Sequence, residues 1–419
     1  MEQISTQCCI AGGGPAGMML GFLLARAGID VQILEKHEDF LRDFRGDTIH
    51  PSTLEVMEEL GLLDDLLKLP HQKAPQLRAK FGDIELTVAD FSHLPVRCRF
   101  IAFMPQWDFL SFLARQGARY PTFHLRMQTP VTELIQDGER IVGLRASSPN
   151  GLLEVRADLV VGADGRHSVV RALAELPVED FGAPMDVLWF RLSRRAGDPE
   201  FSMGRFEPGH IFVMLNRGEY WQCGYVIPKG GIARIQERGL PAFRRDVSAV
   251  VPFFADRVEE LQDWSSVKLL TVKVDRLTRW CRPGLLCIGD AAHAMSPIGG
   301  VGINLAIQDA VAASNLLSAP LRERRVDVAV LLRVQRRREW PTRLTQRMQI
   351  FLQHRIIQPV LGRTAPFIPP LFVRLLARLP FLARIPARLI GIGVRPEHVC
   401  TPAVPASPRI VEDHAERQP

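Results

Sequence analysis

Apolar runs and glycine turns alternate along the chain, and their spacing predicts most of its elements. Residues 7–11 form an almost wholly apolar run, the pattern of a short strand covered on both faces. Residues 18–27 carry apolar side chains at helical spacing and stop at Gly28, a residue type that ends helices readily. Residues 31–34 are a second apolar strand, closed by Glu35. The strand pattern returns at residues 159–161 and 285–288, and a long helix follows from about Ile303. An amphipathic helix begins near Trp107. Between Phe181 and Asp275 the rhythm changes. Residues 187–192, 211–216 and 221–227 read as strands separated by turn residues, and residues 241–261 as helix. Residues 333–347 are helical and basic. Residues 356–394 are apolar, punctuated by proline and studded with arginine, and the chain after about Pro402 has the composition of a disordered tail. Strand–helix–strand units interrupted by a run of strands predict an α/β fold with an inserted sheet and C-terminal helices.

The first turn holds the most specific chemistry. Gly12-Gly13-Gly14-Pro15-Ala16-Gly17 fits G-x-G-x-x-G between a strand and a helix, and Glu35 closes the next strand. Gly12 permits the tight turn, Gly14 lets the backbone approach a pyrophosphate, and Gly17 lets the helix pack close to the sheet. The helix N-terminus offers N–H groups and partial positive charge to phosphates. Glu35 can accept hydrogen bonds from a ribose diol. Alone, this unit indicates a dinucleotide without separating a flavin from a nicotinamide.

Two further segments have the same build. Residues 159–161 lead into Gly162-Ala163-Asp164-Gly165, and Ser168 can begin a helix; an ordinary strand-to-helix corner reads the same way. Residues 285–288 deliver Gly289-Asp290-Ala291-Ala292-His293 to the C-terminal end of a strand, where open α/β sheets bind ligands. Asp290 is either a helix cap or an acceptor for a polyol. Pro297-Ile298-Gly299-Gly300-Val301-Gly302-Ile303-Asn304 is a second glycine-rich turn before a helix N-terminus. His293 reads as a packing or hydrogen-bonding residue rather than as an acid–base group.

Together the three segments resemble the single-component (group A) FAD-dependent aromatic hydroxylases, the para-hydroxybenzoate hydroxylase-like family. The first matches the family's dinucleotide fingerprint. The second matches its D-G-x-x-S-x-x-R motif, and the third its G-D-A-A-H and P-x-G-G-x-G-x-N motifs, in the same order over about residues 5–310. The resemblance implies a glutathione-reductase-type, Rossmann-like FAD-binding domain with an inserted β-sheet substrate domain. It implies FAD-binding parts at about 1–75, 101–180 and 276–320, substrate-domain strands at 76–100 and 181–275, C-terminal helices at 321–400 and a tail at 401–419.

The resemblance also implies site residues. FAD contacts fall on Gly12, Gly14, Pro15, Ala16, Gly17, Glu35, Lys36 and Asp164, with Asp290 at the ribityl and phosphate region. Gly302, Ile303 and Asn304 inherit backbone contacts to the flavin ring. Arg45 matches an arginine near flavin and pyrophosphate, Gln106 a glutamine near the ribityl phosphate, and Pro297 a proline at the reacting flavin edge. Arg45 and Pro297 are therefore the candidate catalytic positions. Trp189, Phe212, Met214, Trp221 and Tyr225 are candidate substrate-pocket residues. The implied reaction is a monooxygenation: NAD(P)H, docking transiently, reduces FAD, and a C4a-hydroperoxide passes one oxygen from O2 to an aromatic or polycyclic small molecule. The rival readings are an FAD-dependent oxidase, reductase or cyclising enzyme on the same fold, or a quinone-pathway hydroxylase at the membrane surface. Related flavin halogenases carry W-x-W-x-I-P, whereas this chain has Cys223-Gly224-Tyr225-Val226-Ile227-Pro228, which argues against halogenation.

Composition narrows the partners. The chain is 47% apolar and 23% charged with a net charge of +6, which are globular values, and no nucleic-acid motif accompanies the positive charge. The seven cysteines form no C-x-x-C pair and read as buried thiols in a reducing compartment. Glycines and a proline interrupt the apolar run at residues 8–24, so it is read as neither signal peptide nor span, and the expected address is the cytoplasm. No metal-ligand cluster is evident. Arg374/Arg378 and Arg384/Arg388 are i,i+4 pairs among apolar residues; a packed C-terminal layer is favoured over an amphipathic membrane-surface element.

Overall fold

Five parallel strands set the architecture of the computed structural model, which describes residues 1–41, 47–362 and 369–406. Glu2–Ala11 lies between Gly151–Gly162 and Val31–Leu34, with Leu285–Cys287 beyond the former and Phe123–Arg126 beyond the latter. Ala11 pairs with both Leu34 and Gly162, and Gly162 pairs with Cys287. Four strands therefore end in one row. The turns that begin at Gly12, Glu35, Ala163 and Ile288 all leave from that edge. The strand ends are buried on both faces, which is why their sequences lack in–out alternation.

Helices cover the sheet. Pro15–Arg26 begins with proline, whose fixed φ suits a first helical turn and whose missing N–H costs nothing there. It ends before Gly28, which turns the chain at φ +78°. Gly302–Arg322 packs beside it, and Gly289 sits between the two. A Cβ on Gly289 would lie 2.9 Å from that of Ala16, so only glycine lets the helices approach this closely.

The second sheet has seven strands, in the order Lys268–Leu270, Met185–Ser193, Tyr220–Pro228, His210–Asn216, Met203–Glu207, Gln76–Phe81 and Ile84–Asp90. Alternation sends Leu188, Phe190 and Leu192 to one face, under the helix Leu240–Val250. Met185, Val187 and Trp189 go to the other. The helix expected at residues 241–261 ends at Val250, because Pro252 has no N–H to continue the ladder. Short 3-10 turns at Pro252–Phe254 and Val258–Glu260 follow.

The C-terminal region is helical, with Val328–Leu352 running through a π turn at Gln353–Ile357 into Gln358–Leu361, then Leu371–Arg378 and Arg384–Gly391. Among the described residues no helix is long and apolar enough to cross a membrane. Residues 401–406 do not have the character expected of a tail, and the rest of that stretch lies outside the described residues. Thr401 is buried, and the Val404 N–H donates to Arg26 O at 2.8 Å, so the chain is still docked on the first helix there.

His50 precedes the helix Pro51–Glu59 and is fully buried. Its Nδ1 lies 2.8 Å from Ile390 O, which ties the second helix to the last. A carbonyl only accepts, so Nδ1 carries the proton of a neutral ring. Burial pushes the His50 pKa down to about 4. The unfolded chain binds this proton near pH 6.5 and the folded one only near 4, so stability falls as pH drops through that window. The contribution is on the order of 3 kcal/mol. Denaturant unfolding at pH 7 and pH 4.5 should show the loss in the wild type and a flatter response in His50→Gln; equal slopes would rule out this assignment.

Candidate active site

The glycines at the sheet edge divide into two kinds. A Cβ on Gly12, at φ +106°, would fall 2.4 Å from Ala163 O, and one on Gly17 would fall 2.0 Å from Gly12 O. These two let the first and second motif turns touch and the helix seat on its turn. Gly14 and Gly302 are different: nothing lies within 4 Å of a Cβ at either. Their open sides are cradles in which a ligand can approach the backbone. Both long helices start there with no side-chain cap and no acid in the first turn, so Pro15, Ala16 and Gly17, like Gly302, Ile303 and Asn304, stand at positive helix ends. These features fit the phosphates and the electron-rich ring of FAD.

Carboxylates lock the turns in place. Glu35, buried at the end of its strand, accepts from Gly13 N at 2.8 Å and His37 N at 3.1 Å, while Lys36 beside it is exposed. Asp164 accepts from Ser168 Oγ at 2.5 Å, Val169 N at 2.7 Å and Val170 N at 3.1 Å. Its side chain therefore caps the next helix and shapes its own loop. Arg171, only 7% exposed, then joins the second motif to the third. It donates to Arg166 O at 2.6 Å, to Ala291 O at 3.4 Å, and to both oxygens of Asp275 at 3.2–3.3 Å. Burial raises the Asp275 carboxyl, but Lys273 and Arg171 more than offset that and hold it below the ordinary range.

Behind Gly289 lies a buried charged network. Asp309 Oδ2 accepts from Gly289 N at 3.0 Å and lies 2.6 Å from His293 Nε2; Asp309 Oδ1 accepts from Arg338 Nε at 3.0 Å. Arg338 continues to Glu397 Oε1 at 3.1 Å. Burial pushes Asp309 up, and His293 with Arg338 outweighs it, so the carboxyl sits below its usual range. His293 is thus a hydrogen-bonding residue that fixes the Gly289-Asp290 turn. Asp290 follows, half-buried, at the row of strand ends.

A glutamine ladder holds the next loop. Gln346 Nε2 donates to Asp275 O and Ala294 O at 2.8 and 3.0 Å. Gln349 accepts from Ser296 N at 3.1 Å and donates to Ser296 O and Ile298 O at 2.9 Å. Gln353 donates to Ser296 Oγ at 3.0 Å. Gln335, higher on the same helix, accepts from Trp280 N at 3.0 Å and donates to Thr278 O at 3.0 Å. Gln346, Gln349 and Gln353 hold the loop that carries Pro297, and the sequence reading missed them. Their signal was present: glutamines at 346, 349 and 353 recur at helical spacing between arginines.

The remaining candidates separate. Arg45 lies outside the described residues. Gln106 begins the helix Gln106–Gly117, and its N–H points to Asp47 Oδ1 at 3.4 Å. Asp47 pairs with Arg217 at 2.7 Å, and Arg217 Nε donates to Gln222 Oε1 at 2.9 Å, which joins the FAD side to the second sheet. Burial pushes the Asp47 carboxyl up against the pull of Arg217. Asn304 Oδ1 accepts from Ser52 Oγ at 2.6 Å and Thr53 Oγ1 at 2.8 Å. The pocket set requires correction. Phe212, Met214, Trp221 and Tyr225 are at most 5% exposed and pack with Phe243 and Phe254 in a closed core on the far face of the sheet. Trp189 alone of the five is on the near face, in one apolar cluster with Ile298.

The chain is similar to known proteins over most of its length. Residues 5–348 match the family described as FAD binding domain. The 6-methylpretetramide 4-monooxygenase of Streptomyces rimosus is 33% identical over 377 residues, 90% of each chain. The dialkyldecalin synthase of Streptomyces rugosporus is 26% identical over 325 residues, 74% of this chain and 64% of that protein's length. Among solved structures, the anhydrotetracycline hydroxylase from Streptomyces rimosus superposes with a TM-score of 0.75 at 22% identity, covering 93% of this chain and 77% of the other, which shows the fold. On the family match and the 33% relative, the chain belongs to the FAD-binding-domain family of flavoprotein hydroxylases and is an FAD-dependent monooxygenase.

Proposed function

We propose that this enzyme hydroxylates a polycyclic aromatic small molecule, with a pretetramide-like compound as the first candidate and NAD(P)H as electron donor. The observation that carries the reading is the similarity to the 6-methylpretetramide 4-monooxygenase over 90% of both chains. FAD supplies the oxygen-transfer chemistry. The chain's part is to bind, orient and keep water out. Gly12, Gly14 and Gly17, with Pro15 and Ala16, seat the pyrophosphate; Glu35 and Lys36 flank the ribose; Gln106 and Asp290 hold the ribityl-phosphate stretch. Gly302, Ile303 and Asn304 present backbone N–H groups to the ring, and Pro297 stands at its reacting edge. Substrate meets the near face of the seven-stranded sheet, at Trp189 and the Arg217–Gln222 pair. The seven free thiols, six of them buried, suit a reducing compartment, and we place the enzyme in the cytoplasm. A second reading, a cyclising enzyme that keeps FAD without inserting oxygen, draws on the dialkyldecalin synthase similarity.

Labelled oxygen separates the two. Under 18O2 with NADPH and a polycyclic phenol, the product should gain one labelled atom; turnover with no label incorporated favours cyclisation. The FAD seat has its own test. Gly14 has an ordinary φ of −74° and open space beside it, so Gly14→Val should fold normally. It should bind FAD about 100-fold more weakly, on the order of 2.7 kcal/mol. Unchanged FAD affinity would return the glycine turn to a purely structural role. Gln349→Leu strips three hydrogen bonds from Ser296 and Ile298, each worth about 1 kcal/mol. The loop at Pro297 should loosen, and a larger share of the NADPH consumed should appear as hydrogen peroxide rather than product.

A further inference from the structure

The outer face of the C-terminal helices carries side chains that the fold does not use. From Trp340 to Pro396 the sequence has nine arginines and no aspartate, glutamate or lysine. In Leu371–Arg378, the Val373 side of the helix packs on the protein, with Leu376 and Ala377 partly buried beside it. The apolar sector then continues past that contact. Leu371 is 76% exposed, Leu375 45%, and, past the turn, Phe381 59% and Ile385 62%. Phe351, on the long helix, meets Phe372 with ring centroids 6.1 Å apart, so the patch crosses between helices. A groove of about 310 Å³ lined by Leu344, Met348, Leu389 and Val394, with Arg347 on its rim, lies between the long and last helices.

The charges around this patch are of one sign. Arg374, Arg378, Arg384 and Arg388 are exposed, and none pairs with a carboxylate among the described residues. A two-fold contact between copies of the chain would set this cationic face against itself. An amphipathic element with arginine on one edge and Leu, Ile and Phe on the other matches an anionic bilayer surface, where the apolar groups enter the acyl boundary and the guanidiniums meet phosphate. We propose that the face formed by Phe351, Leu371, Leu375, Phe381 and Ile385 docks the enzyme peripherally on anionic lipid.

The test uses the full-length, FAD-loaded protein and sedimentation with vesicles. Phosphatidylcholine vesicles containing about one-third phosphatidylglycerol should bind at least about tenfold more protein than phosphatidylcholine alone, with binding weakened by salt. Leu375→Asp with Phe381→Asp should abolish sedimentation, and Arg378→Glu with Arg388→Glu should remove the preference for anionic lipid, with FAD content and thermal unfolding unchanged. A measurement on the unaltered chain guards against misfolding of the variants: brominated lipid in anionic vesicles should quench part of the fluorescence, Trp340 being 55% exposed on the same helix as Phe351. Absent sedimentation, equal binding to both vesicle types, or a concentration-dependent dimer that Leu375→Asp disperses would each overturn the proposal. The hydroxylation assay runs without lipid, so failure of either reading leaves the other standing.

Discussion

The row formed by Leu34, Ala11, Gly162 and Cys287 brings the turns of stretches hundreds of residues apart to one edge. In a sheet buried on both faces, register is fixed by packing rather than by turns. A slip of one residue would turn every side chain to the wrong face. Here the packing is tight at the row itself. A Cβ on Gly162 would lie 2.9 Å from Val170 and 3.0 Å from Cys287 Sγ. With the row fixed, each turn starts at a defined height above the sheet. The helices that begin at Pro15 and Gly302 then start from this edge side by side, with Gly289 between Ala16 and Ala306.

The polar groups behind the row hold backbone in place. Asp164 caps its own helix, Arg171 bridges two motifs, and Asp309 grips the Gly289 amide. Buried ion pairs are poor sources of net stability, because desolvation consumes most of their attraction. Their use here is geometric. Arg171 reaches Asp275, Ala291 O and Arg166 O at once, which a lone apolar contact could not do. The same logic explains His293, a histidine beside the Gly289-Asp290 turn whose bond to Asp309 gives it a structural task.

Glycines and short charged motifs were legible in the sequence because each reports a local constraint: a positive φ, a close approach, a cap. The faces of the second sheet were not. Phe212, Met214, Trp221 and Tyr225 have the apolar bulk of pocket residues, but alternation alone does not say which face meets the FAD domain and which meets the helix Leu240–Val250. The near face is marked by contacts distant in sequence, such as Asp47 with Arg217, 170 residues apart. Helix length failed at Pro252, whose missing N–H counted for less in the reading than the apolar spacing around it. The glutamines of the long helix were hidden by their neighbours, since neutral amides among arginines look like a solvated surface.

Those glutamines also limit how the Pro297 loop can move. The amides of Gln346, Gln349 and Gln353 meet Ala294 O, the backbone of Ser296 and Ile298, and Ser296 Oγ, at spacings of three and four residues set by the helix. Sliding the loop by an ångström would spoil all of these bonds together. One turn further along the helix, about 5.4 Å away, the equivalent positions are Ile350, Gln353 and Ile357, which cannot make the same set of bonds. The loop is therefore seated or released and has no stable intermediate setting. None of the ladder amides titrates, so the latch keeps the same strength across the physiological pH range.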